Sequence, residues 1–224
     1  MLKLKKYAGF LTGVGGVILA TVIICVCAFS AGGNEINFNA SYYFVCYKQT
    51  DNAASAFSLS DTVASYGGAG YVLEYDGDYY VTVACYFNEA DAKEVTNGLK
   101  YKDLNCSVLE AKTKSYKLRG ANAKKKSELY LGNLNTLHSV SSLAYECANG
   151  LDTGDYDQNK AKEVFKAIKS GLNGLLDLNA NNPFTEKLNY ILAECENREK
   201  GFIHSGDMRY IQIAAIDGIL NAKI

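Results

Sequence analysis

The sequence predicts an α+β protein in three parts: an N-terminal transmembrane helix, a β-α-β-β-α-β unit and a C-terminal antiparallel helical bundle. Three observations carry this. An uncharged run follows a basic start; ten of the seventeen tyrosines cluster between Tyr42 and Tyr101; and beyond Lys112 apolar residues recur at helical spacing. The boundaries that follow are 1–6, 7–31 (transmembrane helix), 32–41 (linker), 42–111 (α/β domain), 112–123 (basic linker) and 124–224 (bundle).

Lys3, Lys5 and Lys6 precede a stretch from Tyr7 to Asn34 that holds no Asp, Glu, Lys or Arg. About 20 apolar residues span a bilayer's hydrocarbon core, and the run is long enough. Lysines before the run and none just after it orient the N-terminus to the cytoplasm, so the expected location is the cell membrane, single-pass, with most of the chain outside the cytoplasm. Ala28-Phe29-Ser30 has the small-x-small form of a cleavage site. A removed signal peptide is therefore the alternative. Gly9 and Gly13 form a G-x-x-x-G pair that lets helices approach closely, although glycine is also simply common in membrane helices.

Tyr42-Tyr-Phe-Val-Cys-Tyr47 is aromatic and β-branched, the composition of a strand. Residues 52–66 read as a helix that stops at Gly67-Gly68. Tyr71–Tyr75 and Tyr79–Val83 flank Asp76-Gly77-Asp78, and Asp-Gly between two such runs signals a hairpin. Asn88 caps a second helix carrying Ala92, Val95 and Leu99, and 104–109 supplies a fourth strand. This order is the split, ferredoxin-like arrangement, with two helices on one face of the sheet.

Past Lys112 four helical segments are expected: 124–147, 157–178, a third starting at Asn182-Pro183, and a fourth capped by Ser205. Short polar turns between them suggest an antiparallel bundle, a surface for a protein partner.

Counting outward from a two-residue turn pairs Tyr75 with Asp78, Leu73 with Tyr80 and Tyr71 with Thr82. Tyr71, Leu73, Tyr75, Tyr80 and Thr82 then share one face, and Val72, Val81 and Val83 the other. Tyr43, Val45 and Tyr47 are expected to join the first set, with Phe44 and Cys46 inside. An open face rich in tyrosine suits a sugar, because each ring offers a flat apolar surface with a polar tip.

Tyr79-Tyr-Val-Thr-Val-Ala-Cys-Tyr86, followed by Asn88-Glu-Ala-Asp-Ala92 and Leu99, resembles the second half of a SPOR (sporulation-related repeat) domain. Residues 42–70 resemble the first half. The resemblance covers about residues 41–111. It implies recognition of peptidoglycan glycan strands at division or sporulation septa, through the sheet face away from the helices. Carried over by position, Tyr43, Val45, Tyr71, Tyr80 and Thr82 would lie on that face. The chain departs from the family where it has Val45 for a frequent glutamine, Tyr80 for an arginine and Ala84 for a glycine.

The near-neutral balance, net charge −1, gives a nucleic-acid partner no support. Cys46, Cys85, Cys106, Cys147 and Cys195 show no zinc-like spacing and read as small buried residues, though a disulfide among the first three stays open. His138 and His204 lack an obvious catalytic companion, and no nucleotide or metalloprotease motif appears. No cofactor, metal or catalytic residue is expected. Peptidoglycan glycan, a lipid bilayer and a protein partner are the expected contacts, with a scaffold lacking glycan affinity as the alternative function. Seven basic and no acidic residues lie from Lys112 to Lys126, either a solvated linker or a contact for anionic headgroups or wall polymers.

Overall fold

The computed structural model describes residues 35–100, 105–119, 122–177 and 183–224. Within them lie strands β1 (Glu35–Ile36), β2 (Ser41–Thr50), β3 (Tyr71–Tyr75), β4 (Asp78–Tyr86), β5 (Ser107–Lys112) and β6 (Tyr116–Lys117). The helices are α1 (Ala53–Ser65), α2 (Glu89–Lys100), α3 (Ala123–Thr153), α4 (Gln158–Asp177), α5 (Thr185–Arg198) and α6 (Ser205–Leu220).

The expected transmembrane helix over 7–31 lies outside the described residues, and none of the described helices is long and apolar enough to cross a membrane. The fold class is corrected accordingly: the described chain is α+β with six helices, none of them a membrane span.

Local chemistry explains the α/β elements. Asp76 and Gly77 both take positive φ, 51° and 91°, which a two-residue turn of this twist needs. The turn sets the register Tyr75↔Asp78, Leu73↔Tyr80 and Tyr71↔Thr82, the pairing counted from the sequence. Asn52 Oδ1 accepts from Ser55 N at 2.8 Å and Asn88 Oδ1 from Asp91 N at 2.9 Å, capping α1 and α2. The main sheet runs β3-β4-β2-β5, every pair antiparallel.

Alternation breaks at the sheet's centre. Val45 pairs with Ala84 but Cys46 pairs with Thr82, so Val83 is an extra residue on β4; Lys48 then pairs with Val81, leaving Tyr47 extra on β2. The bulge sends Ala84 and Tyr86 to the same face as Val81, and their partners Val45 and Tyr43 go with them. Val45, Ala84, Tyr86 and Ala92 form one cluster beneath α2, and Ala56, Val63 and Val81 another beneath α1. Tyr42, Phe44, Cys46, Tyr71, Leu73 and Cys85 face the opposite way. Tyr43, Val45 and Tyr47 therefore do not share a face with Tyr71 and Leu73, and Phe44 and Cys46 do.

That opposite face is not open. Its residues belong to one continuous core with Leu134, Leu137, Phe165, Ile168, Leu188 and Ile191 of the helices. Regions 42–111 and 124–224, expected as separate domains, share this core. At its centre lies α6, buried on all sides: every residue from Ile211 to Leu220 is buried. A helix of that kind belongs between layers rather than on a bundle's surface. It runs antiparallel to α3, with Arg209 paired to Asp152 at one end and Gly218 against Leu137 at the other. Gly218 also meets Lys187, where an added Cβ would stand 2.8 Å from its Cγ. The stretch 112–123 contains β6, which pairs with β1 as Glu35↔Lys117 and Ile36↔Tyr116, so part of the expected linker is structured.

Candidate functional site

The residues expected to bind glycan are divided among three environments. Leu73 and Thr82 are fully buried and Tyr71 nearly so, all under α6. Val45 is fully buried on the other face, with Tyr43 and Tyr47 half-buried beside it. Only Tyr75 and Tyr80, near the hairpin tip, keep part of their surface on the expected side. Tyr43 Oη donates to Glu110 Oε1 at 3.2 Å, and Tyr75 Oη accepts from Lys112 N at 3.2 Å. The open-face assignment is corrected on both counts: a bulge turns one strand over, and a helix occupies the remaining face.

The contact that seals the face is polar. Tyr71 Oη donates to Asp217 Oδ2 at 2.5 Å, Lys187 Nζ reaches the same oxygen at 2.5 Å, and Lys187 Nζ lies 3.1 Å from Tyr71 Oη. Asn221 Nδ2 donates to Asp217 Oδ1 and also to Glu74 O at 2.8 Å. Gln212 Nε2 donates to Cys85 O at 3.0 Å. Burial, and then the Asp217 carboxylate, push the Tyr71 phenol far above its ordinary value, so it stays protonated and acts as a donor. The network continues along α5 and α6: Tyr190 Oη and Tyr210 Oη are 2.5 Å apart, and the Arg198 guanidinium lies 3.7 Å from the Tyr210 ring centre.

Sequence reading missed this cluster because its members lie far apart in the chain, Tyr71 and Asp217 being 146 residues apart. One signal was present. Ile211-Gln-Ile-Ala-Ala-Ile216 is apolar on every side of a helix, and β3 and β4 are apolar on both faces, the marks of a buried helix over a covered sheet.

A groove of about 700 Å³ opens where the turn after α1 meets the loop into α6, and it includes Gly67, Gly68, Tyr156, Phe202, Ile203 and Gly206. Gly206 is pressed against the 67–68 turn: an added Cβ would stand 2.9 Å from Gly68 O. Polar groups at the rim are already bonded within the chain. Gln158 exchanges two hydrogen bonds with the Ile203 backbone, at 2.9 and 2.8 Å. Arg198 pairs with Glu194 at 3.1 Å and Asp207 at 2.9 Å, and Asp207 Oδ2 also accepts from His204 N. Phe202, by contrast, stands 68% exposed against the His204 ring.

Catalytic candidates fare differently. His138 is enclosed by Phe38, Tyr42 and Phe87, with Nδ1 3.0 Å from Tyr42 Oη, and burial lowers its pKa. Desolvation raises the Cys147 thiol to about 11, the opposite of what a nucleophile needs. All five cysteines outside 1–34 are free and buried, and among the described residues no three His, Cys, Asp or Glu are grouped to hold a metal.

No protein family, curated protein or solved structure matches the chain.

Proposed function

We propose that this chain is a non-catalytic interaction protein that works as one rigid scaffold, with no affinity for glycan through its sheet. The observation that carries the proposal is α6 lying on the sheet face, with Tyr71 bonded to Asp217 beneath it. A sugar would have to displace a fully buried helix to reach Leu73 or Thr82. Exposed aromatics support a protein contact instead: Phe57, Tyr66 and Phe202 are each more than 60% exposed, and Phe202 edges the groove. Three lysines before an uncharged run support a position at a membrane, with the folded part outside the cytoplasm.

Recognition of peptidoglycan is the second reading, favoured by the β3-β4-β2-β5 antiparallel order together with the SPOR resemblance of residues 41–111. Binding of the full chain to amidase-treated wall sacculi separates the two. We expect retention no greater than on untreated sacculi. Excess binding that Tyr80→Ala removes would favour the glycan reading. On the scaffold reading, Phe202→Ser leaves thermal unfolding unchanged but reduces the size of the native assembly extracted from membranes. A native chain that runs as a monomer in both forms would refute it.

A further inference from the structure

The ribbon formed by β1 and β6 gathers charge at the point where the described chain begins. Lys112, Lys114, Lys117, Arg119, Lys124, Lys125 and Lys126 are all exposed. Lys112 pairs with Glu110 at 3.1 Å, and none of the other six makes an ion pair among the described residues. No acidic residue interrupts them from 112 to 126.

Local stability does not explain this composition. Lys124–Lys126 occupy the first turn of α3, the positive end of its dipole, where acidic residues are favoured and none is present. Asn122, preceding that turn, makes no side-chain cap hydrogen bond. Charges placed against local preference point to a role outside the fold.

Position narrows the partner. Lys117 is paired with Glu35, directly after the uncharged run from Tyr7 to Asn34. Between Ala31 and Glu35 the chain reaches at most about 14 Å. Through Glu35 the basic surface thus adjoins an uncharged run in the sequence, the combination that an anionic bilayer attracts from both its headgroups and its interior.

We infer that the β6–α3 basic surface is a contact for anionic phospholipid headgroups, seating the folded part against the membrane. This goes beyond the scaffold reading and stands independently of the groove.

Amine acetylation of the full chain, mixed with bilayer discs of phosphatidylcholine alone or with phosphatidylglycerol, tests it lysine by lysine. A cation near an anionic surface changes a binding constant roughly fivefold. Labelling of Lys114, Lys117 and Lys124–Lys126 is expected to slow by about that factor or more in anionic discs only. Added salt should restore it, and Lys93, exposed on α2, should label equally in both. In a Lys124→Gln, Lys125→Gln, Lys126→Gln variant, protection at Lys114 and Lys117 should weaken. Equal labelling in both discs would overturn the inference, as would slowing that extends to Lys93. Protection by polyphosphate in neutral discs, without protection by phosphatidylglycerol, would overturn it in favour of a soluble polyanion.

Discussion

The two faces of the main sheet are closed by different means. Against α1 and α2 lie small apolar clusters, Ala56–Val63–Val81 and Val45–Ala84–Tyr86–Ala92, and each helix starts at an asparagine cap. Against α6 lies a far larger apolar core crossed by hydrogen bonds from Tyr71, Gln212 and Asn221 and by the Lys187–Asp217 pair. Apolar packing tolerates small displacements, whereas a buried carboxylate accepting from three donors fixes one position. The α6 face thus carries both most of the apolar burial and the polar contacts that fix position, and the α1–α2 face adds two small apolar clusters.

Removing the carboxylate tests that difference most severely. Asp217→Ala strands Lys187 and the Tyr71 hydroxyl, and should cost about 3 kcal/mol in denaturant unfolding. Asp217→Leu combined with Lys187→Met and Tyr71→Phe should recover most of this, because the cluster sets position more than stability. If the triple variant is no more stable than Asp217→Ala, the polar contact contributes more than geometry.

Apolar deletions come next. Leu73→Ala, under α6, should cost about 3 kcal/mol, and Val81→Ala, under α1, about 2 kcal/mol. Leu→Ala removes one carbon more than Val→Ala, which alone gives about 1 kcal/mol, so a clearly larger gap would mark the α6 face as the tighter and a vanishing one the α1 face. Asn52→Ala should remove about 1 kcal/mol, measurable as a shift in thermal midpoint.

The smallest test is a slope with pH. Burial lowers the His138 pKa below its ordinary value of about 6.5, so the unfolded chain binds the proton more tightly. Its contribution is complete above about pH 6.5 and lost as pH falls through the lower, folded value. His138→Gln should flatten the acid limb of a stability–pH profile; an unchanged limb would assign the dependence to other groups.

Much of the local structure was legible in the sequence. Asp76-Gly77 dictates both the turn and the β3–β4 register, and Asn52 and Asn88 announce the helix starts. The face assignment of β2 was not legible, because the bulge at Val83 carries no glycine or proline to mark it. Strict alternation from Thr82 would keep Ala84 and Tyr86, and with them Val45 and Tyr43, on the α6 face. The covering of that face depends on pairing Tyr71 with Asp217, a long-range relation that local periodicity does not encode. The candidate site was therefore the least readable part, its expected residues being split between the two faces of the sheet.

The position of α6 in the chain has a consequence for synthesis. The helix at the centre of the core, Ser205–Leu220, follows every other described element in sequence, so a ribosome makes it after all of them. Until those residues emerge, the sheet and the preceding helices have an apolar face with nothing to close it. Closure then waits on contacts across almost the whole chain, the kind that slows folding and lengthens exposure to aggregation. Without the stretch from Asp217 onward, Tyr71 and Lys187 have no shared acceptor, so the second half of α6 decides whether this face closes.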